Sequence, residues 1–154
     1  MSHYSYFHYI INLLIILIII KDINSISKDL LKTIDGKINE NTIEDEISKI
    51  IKEYDQLNER NNKLSEQQDQ NKDKEDYDRF KYKGEFKKLF NECEIFYEYF
   101  FKQRKRLSDF INKPTGKIPD KLINLYNTVV EYVLESKNLL EDLGVKAFID
   151  NTDL

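Results

Sequence analysis

From Tyr82 to Ile111 one set of positions recurs at steps of three and four: Tyr82, Phe86, Leu89, Cys93, Phe96, Phe100, Arg104, Leu107 and Ile111. That is the period of a single helix face. Phe90, Tyr97 and Phe101 widen the face into an arc too broad for a two-stranded seam. A helix with so wide an apolar side needs two neighbours, and the chain supplies two more periodic segments.

The first lies upstream. Ile43, Ile47, Ile50, Tyr54, Leu57, Asn61 and Leu64 alternate steps of four and three. They form a heptad seam of about three repeats with one polar member, better suited to a bundle helix than to a coiled coil. Thr42 with Asp45 three residues later reads as a capping box, so the helix is expected to start near Thr42. Glu44, Asp45 and Glu46 put negative charge in its first turn, where the helix dipole favours it. Residues 65–76 carry no apolar side chain and read as a polar linker or a solvated extension of the helix.

The second lies downstream. Pro114, Gly116 and Pro119 end the central helix, and Pro119 or Asp120 begins the next. Leu122, Tyr126, Val129, Val133, Ser136, Leu140 and Leu143 keep the four-three rhythm, and Leu125, Val130 and Leu139 widen it. Gly144 is expected to close this helix as a left-handed cap, with Val145 making the accompanying apolar contact.

With 154 residues, only four Gly and two Pro, and no run of strand alternation, the chain reads as one all-α domain. The expected architecture is a small antiparallel three-helix bundle, or a four-helix one, after an amino-terminal hydrophobic leader. Residues 28–154 make the domain. Leu30, Leu31, Ile34 and Ile38, interrupted by Gly36, suit a helical turn or two laid on it.

The leader is Phe7 to Ile20, 14 residues and the one strongly hydrophobic run. It is shorter than the roughly 20 residues that span a bilayer, and its length suits a signal-peptide core. Ser25 and Ser27 flank Ile26 as small residues before a cut at Lys28, so residues 1–27 are expected to be removed. The rival is an uncleaved anchor, because Met1 to Tyr6 holds no Lys or Arg and the first fixed positive charge is Lys21. A buried core helix is the third reading. Membrane contact is expected only through residues 7–20, and only if they stay.

Chemistry is narrow. His3 and His8 are the only histidines, and both lie in the leader. A cleaved chain therefore has no His-activated nucleophile and no His-ligated metal. No cofactor or catalytic site is expected. Asp69, Asn71 and Asp73 imitate the start of a calcium loop, but Lys74 stands where Gly is needed and Phe80 where the bidentate Glu belongs. Cys93 is the one cysteine. It reads as a small buried hydrophobe, with an intermolecular disulfide as the alternative.

Lys102, Arg104, Lys105 and Arg106 form a basic knot, with Lys81, Lys83, Lys87 and Lys88 upstream on the same helix. These are the candidate partner-binding residues; the plain alternative is a solvated stripe beside acidic helices. Arg104 falls on the apolar arc, where it snorkels or meets a carboxylate. The net charge of −4 gives no general basis for binding nucleic acid. At the carboxyl end, Thr152, Asp153 and Leu154 fit a loose pattern read by strand-adding groove domains.

The leader, the helical periodicity and a composition rich in Asn, Lys, Ile and Tyr resemble the small secreted helical proteins of AT-rich parasites, including the helical exported families of malaria parasites. The chain departs from them in having no Trp and no Arg-x-Leu-x-Glu/Gln/Asp motif after the leader; Lys105-Arg106-Leu107-Ser108-Asp109 approximates the motif only inside a helix. The function expected is a secreted or surface-exposed, non-catalytic binding protein, with a host or cell-surface protein as partner and a homodimer as one state. The alternative is a membrane-tethered structural protein that self-associates through the Ile43–Leu64 seam.

Overall fold

The structure, a computed structural model, describes residues 38–113 and 116–149. Among them are three helices and no strand: α1 (Ile43–Asn71), α2 (Arg79–Ile111) and α3 (Asp120–Phe148). The leader, the segment 28–37 and the carboxyl tail 150–154 lie outside the described residues.

Contacts between the helices give the topology. Going down α1 the partners climb α2: Tyr82 meets Asn71, Glu92 meets Arg60, and Phe96 and Phe100 meet Tyr54. Between α2 and α3 the pairs are Phe90 with Phe148, Cys93 with Ser136 and Phe100 with Tyr132. Asp55 with Tyr132 and Asn61 with Lys146 place α1 and α3 in the same direction. The chain is thus an up-down-up bundle, antiparallel between neighbours in sequence. The α2–α3 contact is the most extensive of the three.

Thr42 stands at the N-cap of α1 with Glu44, Asp45 and Glu46 in the first turn, but the capping box does not form. A turn from Asn39 already supplies its carbonyl to the Thr42 and Ile43 amides, at 3.1 and 3.0 Å. That turn holds Thr42 in the αR region instead of the extended one a side-chain cap needs, and its hydroxyl bonds to Glu46. The polar stretch divides. Residues up to Asn71 extend α1, because Gln68 and Asn71 donate to the phenols of Tyr77 and Tyr82 at 2.9 and 3.0 Å. Residues 72–78 are the turn. Asp78 then caps α2 by accepting from the Lys81 amide at 3.1 Å, so the helix starts at Arg79, before its apolar period does.

The left-handed cap at Gly144 is overturned. α3 runs on to Phe148, and Gly116, in the α2–α3 connection, is the one described residue with positive φ. Continuation is favoured because Ala147 is fully buried and Phe148 packs edge-on against Phe90 at 5.1 Å. Gly144 lies beside the Phe90 ring, and a Cβ there would make ordinary van der Waals contact with it at 3.5 Å.

The core is an aromatic cluster shared by all three helices. Tyr54 sits edge-on to Phe96, Phe100 and Tyr132, with ring centroids 5.8, 5.7 and 5.6 Å away. The α1 seam is buried at Ile43, Ile47, Ile50, Tyr54, Leu57 and Asn61, with Tyr54 in the cluster. Within the chain, that seam faces α2 and α3, and its last member, Leu64, is half-buried. The arc of α2 is also turned from its expected setting. Phe86, Leu89, Cys93, Phe100 and Leu107 are buried, but Phe101 is exposed while Tyr99 and Gln103 are buried. The reason is α1, which lies over the Tyr99 side, where Glu46 and Glu53 are close enough to act on its phenol.

Gly84 sits inside α2 with open space where a Cβ would go. Gly84→Ala is expected to stabilise the fold by about 0.5–1 kcal/mol, because Gly is a costly residue in a helix interior. A urea midpoint that does not rise would show that the site is not plain helix.

Candidate ligand- and partner-binding surfaces

The basic knot divides. At about 100° per residue Lys102, Lys105 and Arg106 fall within a 100° arc of α2, and Arg104 lies on the other side. Lys102 and Lys105 are exposed, and Arg104 and Arg106 are half-buried. The Arg104 guanidinium stacks on the Phe101 ring at 4.7 Å, which is how a cation on an apolar arc is accommodated. Arg106 acts from the α1 side, where its charge reaches the Tyr99 phenol. Between them Gln103 is buried; it hydrogen-bonds to that phenol, and its Oε1 finds no partner among the described residues.

Cys93 is a free thiol with no exposed surface, and its Sγ lies 3.5 Å from the Ser136 carbonyl oxygen. Burial, then the neighbouring Glu94, pushes the thiol up to about 12. An intermolecular disulfide would require the α2–α3 packing to open first, so the buried-hydrophobe reading describes Cys93. Glu94 itself is held above the usual carboxylate range by burial and then by Glu98, one turn further on. Among the described residues no group of His, Cys, Asp or Glu is arranged to hold a metal ion, and no helix is long and apolar enough to cross a membrane. Asp69 and Asn71 lie in the last turn of α1, and the Asn71 amide donates to the Gln67 carbonyl and the Tyr82 phenol.

Charges do converge elsewhere, at the end of the bundle that holds the α1–α2 turn. A cleft of ≈ 350 Å³ opens there between the three helices. Lys72, Arg79, Lys83 and Lys146 line it, with Asp69, Tyr77, Val145 and Ile149. Lys146 is fixed in place. Its Nζ pairs with Asp142 at 2.7 Å, donates to Ser65 at 2.9 Å and Asn61 at 3.4 Å, and lies over the Phe86 ring. Asn61 was legible as a polar seam position; its lysine partner was not, since 85 residues separate them. The cleft cations come from different segments, so only the fold brings them together.

A second surface lies on α3. Ile123, Val130 and Leu134 are 40%, 37% and 60% exposed. At about 100° per residue they fall within a 40° arc on the side away from the buried face of Leu125, Val129, Ser136 and Leu143. α3 is therefore apolar on two opposite sides.

These features define an all-α three-helix bundle with a cationic end cleft and an apolar outer stripe. Compared with protein-family models, curated proteins and solved structures, the chain has no match.

Proposed function

We propose that the protein is a secreted or surface-exposed helical binding protein, without catalytic chemistry, that presents the outer face of α3 to a host or cell-surface protein. The observation that carries this reading is the two-sided apolar pattern of α3. Single exposed hydrophobes are ordinary on any surface, but three in one line at steps of seven and four suit the docking of another helix. The leader sequence supplies the argument for export, and the buried core supplies a rigid frame for the stripe. The basic residues first singled out contribute at most Lys102 and Lys105, which are exposed.

Two measurements test it. Amino-terminal sequencing of the native protein should find a start near Lys28; an intact Met1 would overturn secretion by leader removal. Val130→Asp with Leu134→Asp should abolish binding of the purified protein to its target cell surface. Because both sites are exposed, folding stability should change by no more than about 1 kcal/mol in total. Unchanged binding by a folded double variant would remove the α3 face from the proposal.

A further inference from the structure

We infer that the outer face of α3 pairs with the same face of a second copy of this chain, the two helices antiparallel and in one register. This pairing rests on the reading of the α3 stripe as a docking face and names what occupies it when no other partner does.

The stripe is longer than its apolar members. Val130, Leu134, Lys137, Glu141, Gly144 and Phe148 alternate steps of four and three, the spacing of a helix seam. At about 100° per residue they fall within an arc of about 80°. All are exposed except Gly144, which is half-buried beside Phe90. α3 thus carries a second seam besides the one that builds the core.

Two charges choose the pairing. Lys137 and Glu141 lie in the middle of the seam, and neither makes an ion pair among the described residues. In a parallel pair each residue meets its own copy, so Lys137 would face Lys137 and Glu141 would face Glu141, like charges both times. In an antiparallel pair Lys137 can face Glu141 of the second copy, and the two-fold axis makes that contact twice. The same register sets Val130 against Phe148 and Leu134 against Gly144. Each apolar side chain then meets another or the space a glycine leaves, and each charge meets its opposite. A slip of one heptad either way sets Glu141 against Val130 or Gly144 of the second copy, with no cation opposite.

Other charges stand clear of the seam. Glu131, Glu135 and Asp142 lie about 100° or more round the helix from its centre line, and Asp142 is held by Lys146 at 2.7 Å. Lys87 of α2 lies over the Phe148 ring, which is still 52% exposed. Ile123 falls beyond the paired stretch. From Val130 to Phe148 that stretch runs about 27 Å, a short contact, so the affinity expected is modest, a Kd of about 10–100 µM.

The test is sedimentation equilibrium of the full chain from about 5 to about 500 µM, with the charges reversed singly and together. The unaltered protein should show a monomer–dimer equilibrium with that Kd. Lys137→Glu alone, or Glu141→Lys alone, should weaken it at least about tenfold, because each sets like charges against each other twice. The double variant Lys137→Glu with Glu141→Lys should return to within about threefold of the unaltered protein. An equimolar mixture of the two single variants should also dimerise, each copy supplying the charge the other lacks, which no pairing within one chain can imitate. Association through another segment, or a parallel pair, would be indifferent to the single reversals and would overturn the inference. A strict monomer at about 500 µM, or a mixture that stays monomeric, would do the same. The two uses of the stripe fail separately. A monomeric protein whose cell-surface binding is still lost in Val130→Asp with Leu134→Asp overturns the dimer alone. Charge-dependent dimers that, like the monomeric variants, leave target cells unbound overturn the cell-surface partner alone.

Discussion

Phe100→Ala is expected to cost about 3–5 kcal/mol, a large share of the roughly 5–15 kcal/mol that holds a domain folded. Phe100 has no exposed surface. Its ring touches Tyr54 of α1 at 5.7 Å, Tyr99 of its own helix at 5.6 Å and Tyr132 of α3 at 5.3 Å. Truncation removes a side chain that joins α1 and α3 through the aromatic cluster, and its ring contacts go with the buried area. The neighbouring Phe101 is the control. It lies on the same sequence arc but is 43% exposed, with Arg104 over its face. Phe101→Ala should cost under about 1 kcal/mol, mostly the cation–π contact. Urea midpoints of the two variants decide the matter. Equal losses would mean that α2 is rotated from the setting described.

Alkaline pH is expected to unfold the protein well before arginine or backbone chemistry intervenes. Burial pushes the Cys93 thiol up to about 12, helped by Glu94. Burial also pushes the Tyr99 phenol up to about 12, opposed in part by the Gln103 hydrogen bond. Tyr54 is raised further by burial, with Cys93 and Glu135 adding to it. All three groups are neutral when protonated and favour that form in the fold. Their contribution is complete below the unfolded pKa values, about 9 for the thiol and about 10 for the phenols, and is lost as pH rises towards the folded ones. Between about pH 9 and pH 12 the folded chain holds more protons than the unfolded one, so stability falls with rising pH, by up to a few kcal/mol per group. Urea midpoints at about pH 8, 9.5 and 11, with tyrosinate absorbance followed in parallel, measure this. Cys93→Ala should flatten the first part of the fall, since the thiol is the earliest of the three to titrate in the unfolded chain. A midpoint unchanged up to about pH 11 would show that these groups are reached by water.

The existence of the three helices was legible because each carries a long apolar period. Their ends were less so. α1 reaches Asn71 through a stretch with no apolar side chain, held there by the phenols of Tyr77 in the turn and Tyr82 of α2. α3 passes through Gly144, because Ala147 and Phe148 gain more by packing than the glycine loses in the helix. The basic knot drew the eye because its members are adjacent in sequence. Spacing decides which of them share a face: Lys102, Lys105 and Arg106 do, at steps of three and four, and Arg104 does not.

The residue order by itself determined that this chain is helical, how many periodic helices the described region contains, and that Tyr54, Phe86, Phe100, Val129 and Leu143 would face inward. Those are consequences of a period, and a period is local. Tertiary structure alone decided which flank of α2 is buried, that Cys93 is sealed against Ser136, and that Lys72, Arg79, Lys83 and Lys146 share a cleft. Each of these depends on where a second helix lies around the first, an angle that periodicity leaves open and that packing of side chains far apart in the chain closes.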